Sequence, residues 1–120
     1  MSAGHTIRIA PTESHVEVHL DGTRLASSDR ALRLDETGLP PRYYLPREDV
    51  AMGSLRSTSF QTNCPFKGDA SYFSVEIDGR THDGIAWSYE VPKPAASDIA
   101  GFLSFYPDRA QVTVGGDAVA

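Results

Sequence analysis

Apolar and polar residues alternate along most of this chain, which is the two-residue period of strands with one buried face. Val16, Val18 and Leu20 alternate with His15, Glu17 and His19, and Asp21-Gly22 then marks a tight hairpin turn. Leu32 and Leu34 alternate with Ala31, Arg33 and Asp35. The segment from Thr37 to Pro41 reads as a loop, because its Pro-Pro pair supplies no donor to a ladder. Arg42 to Leu45 follows as a short aromatic strand. Phe73, Val75 and Ile77 alternate with Tyr72, Ser74 and Glu76, and Asp78-Gly79 turns the chain again. The return strand is expected to carry Ile85, Trp87 and Tyr89 on one face. Residues 102–106 and 112–114 supply two last strands. Helix is limited to a proline-opened turn over residues 46–50 and a short segment capped by Ser97-Asp98 that runs to Gly101.

Eight or so short strands with at most two short helices predict an all-β fold, a compact sandwich or barrel-like domain. A single domain over residues 1–120 is expected, with flexible tails at 1–5 and 115–120. Phe73, Val75, Ile77, Val16, Val18, Leu32 and Leu34 are expected to be buried together.

Composition narrows the function classes. A chain of 120 residues that is 40% hydrophobic can bury roughly two thirds of the surface it exposes when unfolded. No apolar run approaches the length of about 18 residues that a membrane-spanning helix needs. Residues 1–10 show neither the charged start nor the apolar core of a secretory leader. The single cysteine cannot form an internal disulfide, so a cytoplasmic location is expected. A net charge of −5 opposes nucleic-acid binding, which needs a cationic footprint. Arg24, Arg30, Arg33, Arg42, Arg47 and Arg56 nevertheless crowd one central stretch. Guanidinium forks suit carboxylates and phosphates, although solvated surface positions are the plainer explanation for most of them.

The densest chemistry lies in Thr62-Asn63-Cys64-Pro65-Phe66-Lys67-Gly68-Asp69-Ala70. Pro65 biases Cys64 toward extended geometry, and Gly68 permits a turn closed to other residues. Such a loop holds a thiol, an ammonium and a carboxylate in fixed directions, or it is simply a tight turn between strands. Cys64 can act as a nucleophile if it is held as thiolate, or pack as a small apolar side chain. Lys67 can form a Schiff base, donate a proton or, more simply, anchor an anion, and Asp69 or Glu36 can move a proton. Arg33, Arg42 and Arg47 are candidates for fixing an anion, with Tyr43, Tyr72 and Trp87 as pocket walls. Convergence of Arg33, Glu36, Tyr43, Lys67, Asp69 and Tyr72 on one concave site is expected.

Metal binding finds little support. His15 and His19 are four residues apart, about 13 Å of rise along a strand, too far for one zinc ion. No Cys-x-x-Cys pair, His-Glu-x-x-His helix, Walker loop or Gly-x-Ser-x-Gly elbow occurs. No metal and no other cofactor is therefore expected.

The stretch from Ala31 to Val50, read with Thr62 to Tyr72, Ala86-Trp87-Ser88-Tyr89 and Gly101 to Tyr106, resembles the domain-of-unknown-function family numbered 427. The resemblance covers roughly Val16 to Asp108. It implies a mostly β single domain found as a stand-alone protein, and it implies no assigned activity. A nucleotidyltransferase-like label attaches to the family, but no residues here support it. Phe66 stands where the family often has tyrosine, which removes a hydroxyl from that position.

Two function classes remain in front. One is a small-molecule enzyme that uses metal-free acid–base or nucleophilic chemistry on an anionic or carbonyl-bearing substrate. The other is a module that binds such a ligand without turning it over. A protein-interaction domain using an exposed sheet edge is a third. The oligomeric state is not legible in the sequence.

Overall fold

The computed structural model describes residues 4–119. Its larger sheet runs, in spatial order, β1 (Ile7–Pro11), β4 (Leu32–Glu36), β5 (Arg42–Leu45), β9 (Leu103–Phe105), β8 (Arg80–Ser88), β7 (Gly68–Ile77) and β6 (Leu55–Cys64). The smaller sheet runs β11 (Asp117–Ala118), β10 (Gln111–Val114), β2 (Val16–Leu20) and β3 (Thr23–Ser28). Pairing is antiparallel throughout, and both sheets are open, so the fold is a sandwich and not a barrel. Short 3-10 helices at Arg47–Asp49, Met52–Ser54 and Pro94–Ile99 provide the helical content among the described residues. The last of these opens on Pro94, without the side-chain cap expected from Ser97-Asp98.

Both expected hairpin turns form. Asp21 and Gly22 have φ of 49° and 79°, and Asp78 and Gly79 have 50° and 77°. Positive φ at both central residues matches the twist of the flanking strands.

The larger sheet is buried on two faces. Its inner face meets the smaller sheet, where Val16, Val18 and Val112 pack with Leu45, Phe73, Val75, Leu103 and Phe105. Its outer face carries a second cluster of Leu34, Tyr44, Ala70, Trp87 and Tyr89, on which Ala96 and Ile99 of the Pro94–Ile99 helix pack. This divides the expected core. Phe73, Val75, Val16 and Val18 are together, with Ile77 against them, but Leu32 and Leu34 belong to the outer cluster. Alternation tells one face of a strand from the other, but not which of two buried faces it meets.

The return strand also departs from expectation. Ile85 packs in the inner core, while Trp87 and Tyr89 pack on the outer face. Phe73 pairs with Ala86 but Val75 pairs with His82, so β8 spends two extra residues opposite Ser74. This bulge passes through Gly84, at φ +62°, and interrupts the alternation locally, so that Ile85 and Ala86 both meet the inner core while the facing before and after it is the same.

The period-two reading does not name β1, β3, β6 or β11. β1 alternates over only a few residues, with Ile7 and Ile9 against the outer cluster, and β6 is an edge strand exposed along most of its length, so its alternation is lost. Residues 1–3 and 120 of the expected tails lie outside the described residues. Of the remainder, His5 makes side-chain contacts and Asp117–Ala118 form β11 on β10.

Leu103 is wholly buried at the centre of the inner core. Leu103→Ala is expected to lower unfolding free energy by about 2–5 kcal/mol, seen as an earlier urea midpoint at unchanged slope. A loss below about 1 kcal/mol would contradict the central placement of this side chain.

Candidate functional site

One row of cross-strand neighbours runs across the outer face. Leu32 pairs with Tyr44, Tyr44 with Ser104, Ser104 with Trp87 and Trp87 with Tyr72. Partners in register share a face, so backbone pairing alone brings these side chains together. The Trp87 indole N–H donates to Tyr44 Oη at 3.1 Å, which fixes two large rings edge to face.

At one end of this face lies a buried carboxylate. Glu36 follows Leu32 and Leu34 by the strand period, so it emerges from β4 on the outer side. Lys67 donates to Glu36 Oε1, and both residues are 7% exposed. His5 Nε2 lies 3.1 Å from Glu36 Oε2, and its ring stacks on Phe66 at 3.7 Å between centroids. The strap that carries His5 is tied down by Thr37, whose Oγ1 accepts from Thr6 N at 2.8 Å and donates to Gly4 O at 2.9 Å. Lys67 is presented by the turn between β6 and β7. That turn docks on the connector behind it: Lys93 N donates to Lys67 O at 2.9 Å, and Lys93 Nζ to Pro65 O at 2.7 Å. Gly68, at φ +112°, lets the turn close against Val91 and Pro92.

At the other end lies an aromatic tier. Trp87 and Tyr106 are 4.4 Å apart, and Tyr106 stacks parallel to Tyr72 at 6.4 Å. Tyr106 Oη donates to Tyr72 Oη at 3.3 Å, and Tyr72 Oη lies 3.0 Å from Thr62 Oγ1. Arg42 lies over Trp87, 5.9 Å from the ring centroid, and Arg109 lies over Tyr106 at 4.7 Å. Phe60, on the edge strand, reaches within 5.1 Å of the Tyr72 ring.

Burial raises the pKa of three phenols of this face. It pushes Tyr44 well above the usual phenol range, opposed by the hydrogen bond from Trp87, and it pushes Tyr89 up still more. Tyr106 is pushed up to about 12, by burial first and then by its bond to Tyr72.

The expected site residues divide by strand face. Glu36, Lys67, Arg42, Tyr72 and Trp87 share the outer face, and Cys64, half-buried, packs against its cluster. Arg33 points to the opposite side, held by three hydrogen bonds to Asp35, and Tyr43 pairs with it across the strands. Asp69 is exposed and accepts from Asn63 Nδ2 at 2.8 Å, while its neighbour Ala70 is the one that faces the outer cluster. Arg47 is a brace: it donates to the Gly101 carbonyl and to both Glu90 carboxylate oxygens, the latter at 3.2 and 2.8 Å. The full six-residue convergence therefore does not form. A regular strand sends adjacent residues to opposite sides, so Arg33 and Tyr43 face away from Leu34 and Tyr44. Arg33 meets Glu36 only in a surface groove with Thr6, Arg8 and Asp35, apart from Lys67 and Tyr72.

A family profile described as domain of unknown function (DUF427) matches residues 8–116. The chain belongs to that family. No curated protein matches it.

Membership supplies a fold range and no chemistry, so the site rests on geometry. His5, Tyr106 and Arg109 were missed from the sequence. His5 lay in an expected tail. The isolated Tyr106 and Arg109 gave no spacing signal, but a strand over 102–106 that places Phe102, Ser104 and Tyr106 on one face would have flagged Tyr106.

Removing Lys67 leaves Glu36 buried beside a single partner. Lys67→Met is expected to cost about 3–5 kcal/mol in denaturant unfolding, and adding Glu36→Gln to recover a large part of it. Additive losses in the double variant would show that the two residues do not depend on each other.

The raised phenols make stability depend on alkaline pH. Between the ordinary phenol value of about 10 and the folded values, the unfolded chain releases protons that the folded chain keeps. Their contribution is complete below pH of about 10 and is lost as pH rises through the folded values, beginning with Tyr106 near about 12. Ultraviolet phenolate titration should show Tyr44, Tyr89 and Tyr106 ionising late and together with unfolding. Early reversible ionisation of all five tyrosines would contradict the buried face.

Proposed function

We propose that this protein binds a small anionic molecule on the outer face of its larger sheet, at the aromatic end. One observation carries the reading: two guanidinium groups flank adjoining rings there, and neither lies within 4.0 Å of a carboxylate among the described residues. Arg30, Arg33, Arg47 and Arg56 each lie within 4.0 Å of an acidic side chain. Arg8, Arg24, Arg42, Arg80 and Arg109 form no such pair among the described residues, and of these Arg42 and Arg109 are set apart by flanking the adjoining rings of Trp87 and Tyr106. An arginine stacked on a ring is held in place while its in-plane donors stay open for a bidentate anion. The hydroxyls of Tyr106 and Tyr72 are engaged with each other and with Thr62, so the guanidinium donors are what an anion meets first.

The binding partner in this reading is a small molecule and not nucleic acid, because the net charge of −5 works against a polyanion. No helix among the described residues is long and apolar enough to cross a membrane. The lone cysteine asks for no oxidising compartment, which supports placing the activity in the cytoplasm.

Catalysis is the second reading, and one observation favours it. Glu36 is a buried carboxylate shared between an ammonium and an imidazole whose side chain is 22% exposed. Such a chain links a buried proton site to solvent through His5, as general acid–base chemistry requires. In that reading Glu36 and Lys67 handle the proton, Cys64 supports the loop, and no metal takes part.

A panel of small carboxylates and phosphates, titrated calorimetrically at low ionic strength, tests both readings. Arg42→Met and Arg109→Met are each expected to weaken the tightest binder by about tenfold or more, a change of about 1.4 kcal/mol. Unchanged affinity in both variants, or no binder in the panel, overturns anion binding at this face. Turnover of a bound compound that disappears in Glu36→Gln while binding persists would establish the catalytic reading.

A further inference from the structure

We propose that the groove beside Arg109 takes an aromatic zwitterion, a single-ring or indole side chain joined to an α-amino acid head. This inference rests on the anion-binding reading above and names the ligand class. The groove has a volume of about 310 Å³ and is lined by Thr58, Phe60, Tyr72, Asp83, Gly84 and Arg109. Ligand pockets start at about 300 Å³, so this one suits a molecule with one ring system.

Its two charges are the informative part. Asp83 and Arg109 line the same groove, yet they are not within 4.0 Å of each other, and neither pairs with another charged side chain among the described residues. Two opposite charges held near each other without contact leave room for a bridging molecule that carries both signs. A ligand carboxylate meets the Arg109 fork, and a ligand ammonium meets Asp83. Between them the wall is aromatic. Phe60 is 61% exposed, an unusual position for so large an apolar side chain, and its ring lies 5.1 Å from Tyr72 at a tilt of 59°. A flat ligand ring covers it and recovers the apolar area that it now presents to water.

The backbone holds the charges in place. The bulge in β8 brings Asp83 and Gly84 out of register with β7, and Arg109 Nη1 donates to Gly84 O at 2.8 Å. A Cβ at position 84 would lie 2.7 Å from that same nitrogen. Arg109 lies over Tyr106 at 4.7 Å, and apart from the bond to the Gly84 carbonyl its donors are free of protein partners among the described residues.

The test uses L-phenylalanine and L-tryptophan against three truncated probes: phenylacetate without the ammonium, phenethylamine without the carboxylate, and L-alanine without the ring. Binding is read by saturation-transfer NMR and calorimetry on the full chain. At least one aromatic amino acid is expected to bind tenfold or more tighter than every truncated probe. Asp83→Asn should bring its affinity down to that of phenylacetate, and Arg109→Met down to that of phenethylamine. Thermal melts check the fold, and the exposed Asp83 decides the matter if Arg109→Met does not fold. Phenylacetate binding as tightly as L-phenylalanine, with Asp83→Asn neutral, overturns the zwitterion and leaves anion binding standing. Phosphates binding through Arg42 while every aromatic probe fails has the same effect. Failure of all anions overturns both.

Discussion

The outer half of this structure depends on a carboxylate that has been taken out of water. Glu36 projects from the end of β4 into a face otherwise filled with rings and aliphatic side chains, where an isolated charge would cost several kcal/mol. Only a partner brought from far along the chain makes that burial tolerable. Lys67 comes from the turn between β6 and β7, at the opposite edge of a seven-stranded sheet in strand order. The pair therefore fixes where that turn must lie. The turn in turn is held by the connector through Lys93, and the connector leads into the 3-10 helix that covers the aromatic cluster. Break the ion pair, and the turn, the connector and the covering helix all lose a common anchor.

A second consequence is a division of labour between the two faces. The inner face is aliphatic and pairs sheet with sheet, with Phe73 and Phe105 as its rings. The outer face gathers Tyr44, Tyr72, Tyr89, Trp87 and Tyr106, and with them the charged pair and two arginines. A core that only needs stability has little use for phenols, because each hydroxyl must find a partner or pay for desolvation. Here Tyr44 is bonded by Trp87 and Tyr72 by Tyr106 across strands, while the Ser104 hydroxyl between Tyr44 and Trp87 is buried without a partner among the described residues. That network keeps the rings in fixed places beside open space, which is the arrangement a binding surface requires.

Much of the fold was legible, because period-two alternation and Asp-Gly turns are local signals. Val16, Val18, Phe73 and Val75 could be placed in one core from spacing alone. Leu32 and Leu34 could not be assigned to the correct core, since a central sheet buried on both sides presents two equivalent destinations to a single strand. The edge strand β6 was invisible for the opposite reason: one exposed flank removes the alternation that would reveal it. The site was half legible. Dense motifs drew attention to Lys67, Glu36, Arg42, Tyr72 and Trp87, but motif density does not carry facing. Arg33, Tyr43 and Asp69 each neighbour a residue of the outer face, and for that reason each points away from it. His5, Tyr106 and Arg109 reach the face through pairing between distant strands, which no local pattern encodes.

The bulge at Gly84 is where fold and site meet. Regular alternation through residues 82–86 would put Ile85 on the side of Trp87; the local irregularity instead turns Ile85 inward, where it joins the inner core beside Ala86. The same local irregularity lifts Asp83 and the Gly84 carbonyl away from the ladder and gives Arg109 a seat. Regular pairing would have been more stable locally, since a bulge leaves backbone groups outside the ladder. Asp83, Arg109 and the exposed Phe60 line one groove beside this irregularity, and Arg109 is tied to it through the Gly84 carbonyl, so the residues that interrupt the ladder also border the groove's two charges.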